Sequence, residues 1–261
     1  MIKTHLILPK KLLLFTMPQL VKYGVHLGNS KYKWNPGLSF YLHSFRTDIC
    51  IFNLKYSIFF LRRALTVLSL AIQYKGQILF ISSETANRNL TPLLTEFFKK
   101  WSDPYVQHEW VGGTLSNWNK NYNIIKKFKT TKKRKRSLDL LFKGLSSMSY
   151  LPALAILLNI PTKIQGLSTR NISLKDLVKI DLSVKKYFAK NVAIKDELFK
   201  LNIPTIGFVN TDTDLNQILY PIPVNTAYPS AVSLYLNLIL YTFEDAKNIK
   251  KLGFQNELSN N

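Results

Sequence analysis

The chain has 261 residues, of which 36 are Lys or Arg and 15 are Asp or Glu, a formal charge of +21. Hydrophobic residues make up 46 %, which excludes a disordered chain and leaves room for a sizeable core. The charge points to a polyanionic partner, and the single cysteine, Cys50, excludes an internal disulfide and a cysteine zinc site.

In chain order, residues 1–19 read as an N-terminal extension, with Lys10-Lys11 ahead of a short apolar run and no clear cleavage site. No acidic residue precedes Asp48, while Lys22, Lys31, Lys33 and Arg46 do. Ile49 to Leu54 reads as a buried strand, and Cys50 within it as a small hydrophobe. Tyr56 to Tyr74 has the apolar spacing of a helix, stopped at Gly76. Gln77 to Ser82 is the next strand, Ala86 to Trp101 the next helix, and Tyr105 to Gln107 a short strand. Gly112-Gly113 marks a turn, after which Thr114 is expected to cap a helix starting at Leu115. Lys120 to Lys143 is basic, with Asp139 its only acid. The stretch 119–150 is therefore expected to protrude from the body. Ala153 to Leu158 and Thr205 to Val209 read as strands, Val192 to Leu201 and Ala231 to Phe243 as helices. Residues 160–190 read as an insertion and 246–261 as a C-terminal tail.

Alternation of strand and helix predicts an α/β fold: a doubly wound, mostly parallel five-stranded sheet flanked by helices, with a short basic helical protrusion. One domain would comprise 20–118 and 151–245. No apolar stretch reaches the roughly 20 residues of a membrane span, so no membrane insertion is expected. A basic peripheral membrane protein using 231–243 is the weaker reading, because that stretch lacks a cationic face.

Catalysis finds no support. No dinucleotide or Gly-Lys-Ser/Thr phosphate loop is present, and His5, His26, His43 and His108 form no zinc helix. Gly112-Gly113-Thr114 could present backbone N–H groups to one phosphate, or form a simple turn. Asp212 and Asp214 read as members of an Asx-rich turn. The rival to a binding protein is a nucleotide-binding α/β enzyme.

RNA recognition needs cations for phosphates and flat side chains for exposed bases. Three groups qualify. One is Lys31, Lys33, Trp34 and Asn35, with Lys22, His26 and Arg46 around them. A second is Trp110, Gly112, Gly113, Thr114 and Asn117. The third is Lys126, Lys127, Lys129, Lys132, Lys133, Arg134, Lys135 and Arg136, suited to tracking backbone phosphates. Core packing is the equally weighted reading for Trp34 and Trp110.

Four motifs, in order, carry a family resemblance. They are Gly24-Val25-His26-Leu27-Gly28 with Trp34-Asn35-Pro36; Glu109-Trp110-Val111-Gly112-Gly113-Thr114-Leu115-Ser116-Asn117; Asn202-Ile203-Pro204-Thr205-Ile206; and Tyr220-Pro221-Ile222-Pro223-Val224-Asn225. Together they resemble the bacterial-type small-subunit ribosomal protein S2 family. The resemblance implies a five-stranded parallel sheet with a projecting helical hairpin, a structural role in translation, and small-subunit rRNA and neighbouring ribosomal proteins as partners. It implies no reaction and no cofactor. The chain departs from the family at Glu109, where the family has Arg, at Asn210-Thr211-Asp212, where it has Asp-Thr-Asn, and at Val224, where it has Gly. The hairpin stretch is short and 160–190 is extra. With a composition rich in Lys, Asn, Ile, Phe and Tyr, whose codons are AT-rich, this points to an organelle: a mitochondrial small subunit, with a plastid as the alternative and organelle-specific ribosomal proteins as partners of 160–190.

Overall fold

A computed structural model describes residues 17–74, 76–82, 90–106, 110, 112–130, 144–158 and 194–259. Along the chain these form α1 (Met17–Lys22), β1 (Leu27–Ser30), two 3-10 turns (Lys31–Lys33 and Pro36–Tyr41), β2 (Leu42–Arg46), β3 (Ile49–Phe52), α2 (Leu54–Gln73) and β4 (Ile78–Ser82). There follow α3 (Thr91–Lys100), β5 (Tyr105–Val106), α4 (Trp118–Thr130), β6 (Leu154–Leu158), helix α5 at 194–200, β7 (Thr205–Val209), β8 (Tyr220–Pro223) and α6 (Pro229–Ser259).

Strands β5-β4-β6-β7-β8 pair in that order, all parallel. Counted along the chain this is 2-1-3-4-5, a doubly wound arrangement that reverses direction between β4 and β6. Every residue of β4, β6 and β7 is buried, as expected for apolar strands covered on both faces. Alternate side chains supply two cores. Ile78, Phe80, Leu154, Ile156, Ile206 and Phe208 meet α2, α3 and α6. Leu79, Ile81, Ala155, Leu157 and Val209 meet α4, α5 and the segment holding Leu145 and Met148. On the first face Phe80 lies 4.8 Å from Phe97, and Trp101 stacks on Phe243 at 4.1 Å. Full burial of a side chain this size contributes about 1.5–3 kcal/mol.

Helix α2 shows how the sequence writes such a layer. Ser57, Leu61, Ala64, Leu65, Leu68 and Ile72 are buried at three- and four-residue spacing. Asn53 caps its start by accepting from the Lys55 N–H at 3.1 Å.

Three expectations are corrected. The strand at Ile49 lies outside the parallel sheet. It forms a separate antiparallel sheet in the order β1-β3-β2, because Thr47, at φ +53°, turns the chain back into a hairpin. Its place among the five is taken by β8, whose Pro221 and Pro223 hide a strand signal. Prolines are tolerated there because β8 is an edge. The helix expected from Leu115 begins at Trp118. The C-terminal tail continues α6 to Ser259.

The basic stretch is not wholly a protrusion. Ile125, Leu145 and Met148 belong to the second core, beside Trp118 of the body. Gly144 lies so close to β5 that an added Cβ would sit 2.0 Å from the Tyr105 carbonyl oxygen, and its own carbonyl accepts the Tyr105 N–H at 3.1 Å.

Candidate nucleic-acid interface

The loop after β7 is the socket into which the small sheet docks. Asn210, Thr211 and Thr213 are buried. Thr213 Oγ1 accepts the Asn210 N–H at 2.9 Å, Asn210 Oδ1 accepts the Thr211 N–H at 2.7 Å, and Asn210 Nδ2 donates to Asn225 Oδ1 at 3.2 Å. Onto this braced loop the Asn35 N–H donates to the Thr211 carbonyl at 2.8 Å, and Asn35 Nδ2 to the Thr213 carbonyl at 3.0 Å. The Asn29 N–H donates to Thr211 Oγ1 at 2.9 Å. Gly28 is pressed against the same threonine: an added Cβ would lie 2.5 Å from Thr211 Cγ2 and 3.0 Å from the Cys50 carbonyl oxygen. Asn35 also accepts the Gly37 N–H at 3.1 Å, and Pro36 starts the next turn with no N–H to satisfy. The Trp-Asn-Pro motif is thus a docking device.

Around that dock lie the first group of candidate residues. Lys22, Lys33 and Arg46 are exposed. Lys31 pairs with Asp48 at 3.0 Å and stands over the Tyr32 ring, so its charge is partly matched. Trp34 is half-buried, edge-on to Phe45 at 5.3 Å. His26 is half-buried with Nδ1 unpartnered, and burial pushes its pKa below the usual histidine value. Burial thus disfavours the charged imidazolium at this position. Burial likewise raises the pKa of Asp212, opposed by its own backbone, Asn29 and Lys33, and one of its carboxylate oxygens has no partner among the described residues.

In the second group the structure takes the core and turn readings. Trp110 is only 3 % exposed and Thr114 is buried. Glu197, from α5, reaches into the turn with its carboxylate. Its Oε1 accepts from the Gly113 N–H and from Trp110 Nε1 at 3.4 Å, and its Oε2 accepts from Leu115 at 3.0 Å and Ser116 at 3.4 Å. Asn121 Nδ2 donates to the Gly113 and Thr114 carbonyls at 3.1 and 3.0 Å. Gly113 adopts φ +86°, a conformation suited to glycine. The backbone donors that could have cradled a phosphate already hold an internal anion. Gly112 and Asn117 remain exposed. Glu197 was missed in the sequence because it sits beside Asp196 in a charged stretch. Its signal is the spacing Ile194, Glu197, Leu198, which puts the acid on the buried face.

In the third group, Lys126 is exposed on α4, next to the buried Ile125, with Lys120 exposed one turn and more before it. Lys127 and Lys129 lie on the same helix, with side chains outside the described residues. Lys132, Lys133, Arg134, Lys135 and Arg136 lie outside them too, as does 160–190.

Comparison with known proteins fits this architecture. The family described as Ribosomal protein S2 matches residues 20–246, from the buried Leu20 of α1 to the buried Ala246 of α6. The chain belongs to the ribosomal protein S2 family. Small ribosomal subunit protein uS2 of Rickettsia conorii is 29 % identical over 223 residues, covering 84 % of this chain and 71 % of the relative. That of Ehrlichia ruminantium is 28 % identical over 232 residues, covering 89 % and 77 %. The S2 family is structural and not enzymatic. Within it, the socket at Asn210–Thr213 and the Glu197-filled turn are parts of the scaffold, and the exposed cations are what the scaffold displays.

Proposed function

We propose that the chain is a structural component of the small ribosomal subunit, binding small-subunit rRNA through exposed lysines and arginines and contacting neighbouring ribosomal proteins. Membership of the S2 family across residues 20–246 carries this reading, and the +21 charge supports it. Lys22, Lys33, Arg46, Lys120 and Lys126 would face phosphates, together with the run Lys132 to Arg136. Binding would be driven by counterion release, with a log–log salt slope of about −0.7 to −0.9 per phosphate neutralised. The donors of the Gly113 turn are engaged by Glu197, which argues against a nucleotide-binding enzyme using that loop.

The chain works in a mitochondrial ribosome, on the composition and departures described above, with organelle-specific ribosomal proteins as partners of 160–190. The experiment is co-sedimentation: the protein should travel with small subunits from isolated mitochondria and detach as salt rises. Absence from those particles, or an rRNA affinity indifferent to salt, would defeat the reading.

A further inference from the structure

The start of α2 carries a surface that the groups above do not include. Phe40 is 57 % exposed, Phe59 59 % and Tyr56 36 %. Phe40 stacks on Tyr56 at 4.5 Å, and Phe40 meets Tyr41 at 5.7 Å. Tyr41 reaches Phe60 at 5.0 Å, and Phe60 meets Phe59 at 5.4 Å. The five rings form one connected cluster, stacked at Phe40–Tyr56 and edge-on or tilted elsewhere, where the second 3-10 turn abuts the helix, joined there by the Asn53 N–H to Tyr41 carbonyl bond of 2.9 Å.

Cations border the cluster. Lys55, Arg62 and Arg63 are exposed on α2, spaced with Tyr56 and Phe59 along the side opposite Leu61, Leu65 and Leu68. No acidic residue occurs from Ile49 to Ser83, and none of the three cations pairs with a carboxylate among the described residues. Arg63 already lies over an aromatic ring, that of Tyr220, at 5.4 Å.

Exposed rings mixed with unmatched guanidinium and ammonium groups have a specific chemical complement. Bases stack on aromatic and guanidinium planes, and the phosphates between them meet the cations. Paired RNA covers its base faces and offers nothing to the rings, so the complement is an unpaired strand. A protein partner would need a carboxylate-rich, apolar patch to match, and a polyanion is the partner that the ribosomal reading already supplies. We infer that Phe40, Tyr56 and Phe59, with Lys55, Arg62 and Arg63, form a platform for unpaired rRNA nucleotides. This deepens the proposed function by assigning it a contact of a particular class.

The test measures the full chain against a 12-nucleotide oligouridylate and a 12-base-pair RNA duplex over a range of salt. The F40A/F59A variant should bind the oligouridylate at least roughly fivefold more weakly, since one base–ring stack is worth about 1–3 kcal/mol, and should bind the duplex as wild type does. F40Y/F59Y, which keeps both rings, should retain oligouridylate binding and guards against a folding defect. K55Q/R62Q should make the single-strand salt slope shallower by about 0.7 per cation removed. The inference is overturned if oligouridylate binding survives F40A/F59A, or if duplex binding falls in step with it. It is also overturned if F40A/F59A spares RNA binding yet abolishes co-sedimentation, since the cluster would then dock a protein. Wild type that travels with small subunits while ignoring oligouridylate sinks this inference alone; wild type that fails to travel with them sinks the ribosomal reading.

Discussion

At the scale of single residues, three residues hold positions where one atom decides the outcome. Glu197 satisfies four donors, and Glu197→Ala would strand the Gly113, Leu115 and Ser116 N–H groups and Trp110 Nε1. The Leu115 N–H and Trp110 Nε1 among them are buried and each buried unsatisfied group costs about 1–3 kcal/mol, so urea unfolding should show a loss of at least about 2 kcal/mol, with Glu197→Gln intermediate. Gly28→Ala forces its methyl into Thr211 and the Cys50 carbonyl and should cost about 1–3 kcal/mol. Thr211→Ser removes the crowding Cγ2 but keeps the oxygen that Asn29 needs, and should recover part of that loss in the double variant. Asp212 holds its proton more tightly when folded than when unfolded. Its contribution is therefore favourable in acid and fades as pH rises through the raised pKa, leaving an ionised, half-buried carboxylate at neutrality. Asp212→Asn should raise Tm by a few degrees at pH 7, and thermal melts below about pH 4 should show no difference.

At the scale of elements, legibility followed the locality of the cause. Strands β4, β6 and β7 and helix α2 were readable because their own apolar residues dictate them: Ile78–Ser82, Leu154–Leu158 and Thr205–Val209 are apolar runs, and α2 repeats at helical spacing. Strand β8 was not, because Pro221 and Pro223 contradict local strand preference and only an edge position excuses them. The start of α4 was misplaced because the preceding turn is shaped by Glu197, 84 residues from Gly113. Basic charge made α4 beyond Trp118 look like pure surface, yet Ile125 is core. The element therefore has two separable faces. Lys120→Gln with Lys126→Gln should change stability by no more than about 0.5 kcal/mol while lowering rRNA affinity and flattening its salt dependence, measured by filter binding at stepped ionic strength.

At the scale of the whole molecule, the α/β class followed from alternation, whereas the division into a parallel body and a docked antiparallel sheet did not. Sequence spacing says nothing of contacts such as Asn29 to Thr211, which span 182 residues. The same distance explains why the candidate residues divide into surface groups and packed ones. Lys22, Lys33, Arg46 and Lys126 are surface groups, as charge alone predicts, while Asn35, Trp110 and Thr114 are held in long-range packing, which for Trp110 and Thr114 the sequence left as one of two open readings.

Those long spans also bear on the order of events at synthesis. The small sheet cannot seat until Thr211 and Thr213 exist, and the Gly113 turn must wait for Glu197. For most of its emergence the nascent chain therefore carries an unanchored, cation-rich front half, prone to premature attachment to any RNA within reach. Maturation should be late and concerted, its final closure timed by the arrival of the last third of the polypeptide.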